Sequence, residues 1–131
     1  MTKSYKSLPR PTEAELELLR ILWEKEPATV REIYDALNLQ RPSGYTTVLK
    51  MLQIMTEKGL VERRVSGRAH IYQACISEKQ GMGEFMKELV ERLFGGSSSQ
   101  LVLQALGTAK TSKQELEQIR QLLKELEDKK P

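Results

Sequence analysis

The stretch that decides the fold is SGYTTVLKMLQIMTEKGLVERRVSGRAHIYQAC, residues 43–75. Four apolar side chains in its first part have the spacing of one face of an α-helix: Val48, Met51, Leu52 and Met55. Gly59 ends this pattern, because glycine readily adopts the left-handed conformation that follows a helix. We therefore predict a helix that begins near Ser43–Tyr45, ends at Gly59 and buries those four side chains.

Beyond Gly59 the sequence changes to the pattern of two short β-strands. Apolar residues alternate irregularly with charged ones between Leu60 and Val65, and Ser66-Gly67 has the composition of a tight turn. A second run rich in apolar residues extends from Ala69 to Ala74. We predict a β-hairpin directly after the helix.

Two further helices precede this stretch. Thr12–Glu15 and Thr29–Glu32 both have the spacing of a capping box, in which each side chain meets a free backbone N–H of the other residue. Pro27 ends the first helix, and the second is expected to end near Asn38. Three helices followed by a hairpin is the order of a winged helix-turn-helix, so we predict a mostly α fold of this class.

The rest of the chain is predicted to be helical. A helix over roughly residues 78–94 is followed by the linker-like GGSSS at 95–99, a short apolar helix, and a final helix that a third capping box, Ser112–Glu115, begins. We divide the chain into a flexible lead-in (1–11), a winged-helix DNA-binding domain (12–76) and a helical dimerisation domain (77–131).

The last 55 residues favour a homodimer. A unit of this size buries too little apolar area to be stable alone, yet its helices are strongly apolar on one side. Two copies that pack together would bury that side; the alternative is that it packs on the chain's own first domain. The predicted interface residues are Phe85, Met86, Leu89, Val90, Leu93, Leu103, Leu106, Leu116, Ile119 and Leu123.

The positive charge is concentrated in the first half of the chain. Residues 1–76 hold 12 basic and 9 acidic side chains, whereas residues 77–131 hold 9 of each. Residues 41–75 alone hold 6 basic and 2 acidic side chains. A local basic surface favours a polyanion such as nucleic acid, although a net charge of +3 is also an ordinary solubility charge.

The predicted third helix and the hairpin together suit duplex DNA. The helix face opposite its apolar stripe is small and polar, so the helix could approach base edges in a major groove, and the basic hairpin could reach phosphates. The alternative is that these are ordinary solvated positions. The candidate DNA-binding residues are Arg41, Ser43, Tyr45, Thr46, Thr47, Lys50, Arg63, Arg64, Arg68 and His70.

These motifs resemble the penicillinase-repressor family of bacterial regulators, the BlaI/MecI/CopY type. The similar elements are YTTVLKMLQIMTEKGLV, SGRAHIYQA, TEAELELLRILWE, SSSQLVLQAL and SKQELEQIRQLLKEL, which span roughly residues 10–128. The resemblance implies a dimeric winged-helix repressor on a palindromic operator. It also places Tyr45, Thr46, Thr47 and Lys50 in the reading helix and Arg68 and His70 in the wing.

The resemblance also implies how the repressor is released from its operator. In antibiotic-responsive members a membrane sensor triggers cleavage of the repressor's C-terminal region, often at an Asn-Phe bond. The matching dipeptide here is Gln104-Ala105, which departs from that pattern and makes it only a candidate cleavage position. Copper-responsive members carry Cys-x-Cys pairs, whereas this sequence has one cysteine, so copper sensing is not expected.

Competing functions are an enzyme, a small-ligand-responsive winged-helix regulator without proteolytic switching, and a winged helix that binds only protein. With one His and one Cys, most nucleophilic and metal sites cannot be assembled, and His70 and Cys75 would point to opposite faces of a strand. We expect no catalytic residues, metal or cofactor, a solvated or DNA-contacting His70 and a buried Cys75. The single cysteine and a polar N-terminus favour the cytoplasm.

Overall fold

The computed structural model describes residues 9–130, so most of the predicted lead-in, residues 1–8, lies outside the described residues. Three helices are followed by a hairpin, which confirms the predicted winged helix. No helix within residues 9–130 has both the length and the apolar character that a membrane span requires. The elements in chain order are α1 (Glu13–Lys25), β1 (Ala28–Thr29), α2 (Val30–Asn38), α3 (Tyr45–Lys58), β2 (Val61–Ser66), β3 (Ala69–Ala74), α4 (Glu78–Leu93), α5 (Ser98–Thr108) and α6 (Lys113–Asp128).

The ends of the helices follow the predicted caps. At the start of α1, the Thr12 Oγ1 accepts a hydrogen bond from the Glu15 backbone N–H at 3.2 Å, and the Glu15 Oε1 accepts one from the Thr12 N–H at 2.9 Å. The same reciprocal pair begins α2 and α6. Gly59 ends α3 with a φ of 84°, a left-handed conformation that costs glycine little.

A three-stranded antiparallel sheet with the order β1-β3-β2 joins the hairpin to the helices. The sequence did not predict β1, because two residues are too few to show a strand's alternation. Ala28 of β1 pairs with Tyr72, and Thr29 pairs with Ile71. The hairpin is thus anchored at its base to the segment that leads into α2.

One apolar core lies among α1, α2, α3 and the sheet. Val48, Leu52 and Met55 of α3 are fully buried, as predicted. The prediction that Met51 is buried was wrong, because Met51 lies at the edge of the core and is only partly buried. The buried apolar residues are Leu16, Leu18, Leu19, Ile21, Leu22, Ala28, Val30, Ile33, Leu37, Val48, Leu52, Met55, Leu60, Val61, Tyr72 and Ile76.

The first turns of α4 pack against α1. A Cβ atom at Gly81 would lie 2.9 Å from the Trp23 ring, so only glycine permits this close approach. The Trp23 Nε1 donates to the Ile76 carbonyl oxygen at 2.9 Å. Phe85, which we predicted at the dimer interface, is partly buried against the same core. The start of α4 is therefore fixed to the winged helix.

Backbone contacts divide the chain into two compact units, residues 1–89 and residues 90–131. The first unit includes most of α4, whereas the sequence placed a functional boundary between residues 76 and 77. That boundary stays a prediction, because contacts within one chain do not show which part dimerises. In the second unit, neither α5 nor α6 contains a buried residue.

Candidate nucleic-acid interface

The outer face of α3 is open to solvent. Thr46, Thr47 and Lys50 are exposed, whereas Val48, Leu52 and Met55 are in the core. The helix has no acidic residue in its first turn. The structure therefore presents short polar side chains and one cation on a surface that a ligand can approach closely.

Side chains of α2 fix the start of α3. The Asn38 Oδ1 accepts a hydrogen bond from the Ser43 backbone N–H at 3.0 Å, which holds the turn that leads into the helix. Tyr34 contacts Tyr45 edge to face, with 5.4 Å between the ring centroids. The Arg31 guanidinium lies over the Tyr34 ring. These supports could not be predicted from residue spacing, because spacing indicates a helix face but not its neighbours.

The two faces of the hairpin separate the predicted wing residues. Cross-strand partners share a face, and Arg63 is opposite Tyr72 while Arg64 is opposite Ile71. Tyr72 is buried, so Arg63 lies on the face that packs on the helices at its base. His70 lies on that face as well, whereas Arg64 lies on the other. Arg68 is exposed in the turn next to Gly67.

Two of the predicted DNA-binding arginines are held by carboxylates within the chain. The Arg41 Nη2 lies 2.6 Å from the Glu17 Oε1, and the Arg64 Nη2 lies 2.8 Å from the Glu62 Oε2. The hydrogen bond and the negative charge of Glu17 raise the pKa of the Arg41 guanidinium. An added anion would have to compete with these carboxylates.

Three other predicted cations, Lys50, Arg63 and Arg68, make no ion pair within residues 9–130. Their charges stay available to an incoming polyanion. Lys50 lies on α3, Arg63 on β2 and Arg68 at the tip of the hairpin, so the cations extend from the helix to the wing.

An open groove of about 630 Å³ separates the second half of α3 from β2. Polar and apolar groups both line it, and its residues include acidic and basic ones. The residues that line it are Gln53, Thr56, Glu57, Val61, Glu62, Arg63 and Tyr72. Gln53 lies one helical turn beyond Lys50, so the groove continues the outer face of α3.

The predicted dimer residues are mostly uncovered within a single chain. Leu93, Leu103 and Leu123 are 71%, 64% and 53% exposed. The other residues of the predicted set, Met86, Leu89, Val90, Leu106, Leu116 and Ile119, are exposed or partly buried. Gln104 and Ala105 are both exposed within α5.

The prediction that Cys75 is buried was wrong, because Cys75 is exposed. It lies just beyond the end of β3, next to the buried Ile76. Partial burial is the largest cause that raises the pKa of its thiol above the ordinary value. His70 is exposed, as expected for a solvated or ligand-contacting side chain.

Known proteins resemble this chain over most of its length. The sequence model of the penicillinase repressor family matches residues 11–125. The penicillinase repressor of Bacillus licheniformis is 24% identical over 95% of this chain and 98% of its own length. The transcriptional regulator BlaI of Mycobacterium tuberculosis is 30% identical over 92% of this chain and 87% of its own length.

A solved structure shares the fold of part of this chain. It is the solution structure of the monomeric form of Bacillus licheniformis BlaI in complex with the blaP half-operator. The match covers 56% of this chain and 90% of that chain, with a TM-score of 0.51 and 24% identity. This similarity supports the winged-helix architecture.

Proposed function

This chain belongs to the penicillinase repressor family, and we propose on that basis that it is a homodimeric transcriptional repressor that binds a palindromic DNA operator. The observation that carries the proposal is the division of α3 into two faces. Val48 and Leu52 are buried to 0% exposure, and Thr47 and Lys50 are exposed on the other side. Relatives in the same family are named as repressors, and one of them was solved with a half-operator.

In this proposal α3 enters the major groove of the operator. The groove admits one α-helix, and each base pair presents a distinct pattern of donors and acceptors there. Thr46 and Thr47 can donate, accept or offer a methyl group to thymine, and their small size permits close approach. Lys50 can donate to guanine acceptors or to a phosphate. Tyr45 and Ser43 lie at the helix start, where the duplex backbone approaches.

The hairpin and the turn before α3 contact the phosphates. Arg68 at the hairpin tip has no ion pair among the described residues, so its charge can reach a phosphate directly. Arg41 and Arg64 are different, because each would exchange a carboxylate of this chain for a phosphate of the DNA. Their net contribution to affinity is smaller than that of an unpaired arginine, since the lost ion pair offsets part of the gain.

The second half of the chain supplies the dimer contacts. The exposed leucines of α5 and α6 would be removed from water when two copies pack together, and each buried leucine side chain contributes roughly 1.5–3 kcal/mol. A symmetric dimer presents two copies of α3. The matching DNA is a palindrome whose half-sites lie about one helical turn apart.

Cleavage at Gln104-Ala105 by a protease, signalled by a membrane sensor, is the proposed route of release in the cytoplasm. A protease needs an extended backbone, and α5 is helical at this point. The helix buries no residue within its own chain, so its local unfolding loses little packing there. Cleavage would remove α6 from the dimer contacts and lower the affinity for the palindrome.

The decisive experiment is selection of bound sequences from random DNA with the purified full chain. The proposal predicts a palindromic consensus with two equal half-sites. A single half-site would contradict the dimer, and recovery of unrelated fragments would contradict sequence-specific binding. The small-ligand alternative predicts instead that an effector releases the same DNA while the chain stays intact on a gel.

A further inference from the structure

Tyr72 has an unusual combination of burial and hydrogen bonding. Its residue is only 2% exposed, and its ring is part of the core. Its hydroxyl makes no hydrogen bond to any of the described residues 9–130. A buried hydroxyl without a partner is costly, because folding removes it from water and returns nothing.

The hydroxyl is not sealed inside the core. Within the described part of the chain, no buried side-chain nitrogen or oxygen lacks a hydrogen-bond partner. Since the Tyr72 hydroxyl has no partner, its oxygen reaches solvent. The surface that it reaches is the groove between α3 and β2, because Tyr72 lines that groove. The fold therefore places one hydroxyl donor, which has no partner among the described residues, in the lining of an open groove.

A cation lies beside this donor. Arg63 is the direct cross-strand partner of Tyr72, so both side chains project from the same face of the hairpin, and both line the groove. Arg63 makes no ion pair within residues 9–130. Gln53, on the outer face of α3, lines the other side. An anion in the groove would thus meet a hydroxyl and a guanidinium next to the exposed face of α3.

We propose that this groove is a binding site for one backbone phosphate of duplex DNA. The phosphate accepts hydrogen bonds from the Tyr72 hydroxyl and the Arg63 guanidinium. The proposal rests on the DNA-binding function proposed above, and it adds Tyr72, which residue spacing did not indicate, to the predicted contact of Arg63. The groove lies between the base-reading face of α3 and the hairpin, where a DNA strand that leaves the major groove would pass. A phosphate held there would fix the register of α3 on the duplex.

Two acidic residues, Glu57 and Glu62, also line the groove, and the charge of Glu57 limits how strongly it attracts an anion. The Glu62 carboxylate is paired with Arg64 at 2.8 Å. Glu57 has no such pair within the described residues, and its charge opposes a phosphate. Glu57→Gln should therefore raise DNA affinity several-fold without a change in sequence preference, whereas weaker binding by this variant would contradict an anion in the groove.

The central test is Tyr72→Phe, which removes only the hydroxyl. Because that hydroxyl makes no bond within the described chain, the midpoint of thermal unfolding should not change. Affinity for the selected operator should fall about 10-fold for each half-site, as expected for the loss of one hydrogen bond to a charged group per subunit. The salt dependence of binding should stay the same, since no charge is lost. Arg63→Gln should instead lower the slope of log affinity against log salt by about 1.8, which is about 0.9 for each of the two subunits.

The phosphate that occupies the groove can be located with a set of operators, each of which has one backbone phosphate replaced by a neutral methylphosphonate. A methylphosphonate at one position per half-site should lower the affinity of the wild-type protein. At that same position, the methylphosphonate should cause little further loss in Tyr72→Phe and Arg63→Gln, because these variants already lack part of the contact. The control Arg20→Gln removes an equal charge from an exposed position of α1 and should keep the wild-type sensitivity. The proposed phosphate site would be wrong if Tyr72→Phe kept the wild-type affinity. It would also be wrong if the loss from the protein substitution and the loss from the methylphosphonate were additive at every phosphate. If wild-type protein selected no operator, the failure would be that of the DNA-binding function itself.

Discussion

The Lys58 Nζ lies 2.6 Å from the Glu15 Oε1, and this ion pair joins the last turn of α3 to the first turn of α1. The same carboxylate oxygen accepts the Thr12 backbone N–H in the α1 capping box. Lys58 also donates to the Arg10 carbonyl oxygen at 3.2 Å. The end of α3 is thus fixed by charge and hydrogen bonds, while Asn38 and Tyr34 fix its beginning.

Lys58→Met should destabilise the fold. The side chain of Glu15 is only 8% exposed, so the variant would leave a carboxylate largely buried without its cation. We expect a loss of roughly 1–3 kcal/mol in the free energy of unfolding, because Lys58 itself keeps some contact with water. Urea denaturation measures this loss. Glu15→Gln with Lys58→Met should cost less than the sum of the two single changes, and the exposed Lys25→Met should cost little.

Thr47→Ala and Lys50→Ala should each weaken binding to the selected operator by roughly 1–3 kcal/mol if the side chain makes a good base contact. Both positions are exposed, so the fold should not change. Binding curves on the operator and on scrambled DNA separate a loss of specificity from a general loss of affinity. If both substitutions together left affinity and base preference intact, α3 would not be the reading helix.

Arg68→Ala should weaken binding to all DNA sequences alike. The residue lies at the tip of the hairpin and makes no ion pair within residues 9–130, so its charge is available to a phosphate. Its loss from both subunits of the proposed dimer should lower the slope of log affinity against log salt by about 1.8, which is about 0.9 for each subunit. Lys129→Ala removes the same charge beyond the end of α6 and serves as the control. An unchanged slope in Arg68→Ala would show that the wing does not reach the backbone.

Cys75 should react slowly despite its exposure. Its pKa is raised, first through partial burial and then through the charge of Glu62, so less of the reactive thiolate is present at any given pH. Iodoacetamide at pH 8 should therefore alkylate Cys75 more slowly than it alkylates glutathione. The rate for Cys75 relative to the rate for glutathione should rise with pH until both thiols are ionised. A faster reaction than that of glutathione at pH 8 would mean that the thiol is activated.

The local features of the fold could be predicted from the sequence because they depend on near neighbours. Each capping box joins residues three apart, and the apolar stripe of α3 repeats within two turns. Gly59 ends that helix because glycine adopts the left-handed conformation at little cost. These features give three helices and a hairpin in the order that defines the winged helix, and the structure confirms them.

The features that the sequence did not predict depend on residues far apart in the chain. Arg41 is paired with Glu17, which lies 24 positions before it, and no periodicity links the two. The strand β1 exists because Ala28 meets Tyr72 across the fold. Arg63 and Arg64 looked equivalent as neighbours in a basic run, and only the register of β2 with β3 assigns them to opposite faces.

Leu123→Glu should convert the proposed dimer into a monomer. The side chain of Leu123 is 53% exposed within one chain, so the substitution costs little packing there, and the helix content of α6 should persist. In a dimer it would place a charge in an apolar contact, which is strongly unfavourable without a partner. Sedimentation equilibrium should give the mass of one chain, and affinity for the full palindrome should fall about 100-fold, to the level of one half-site. The control Gln114→Glu adds the same charge on the opposite side of α6 and should remain dimeric. A Leu123→Glu protein that still sediments as a dimer would exclude this part of α6 from the interface.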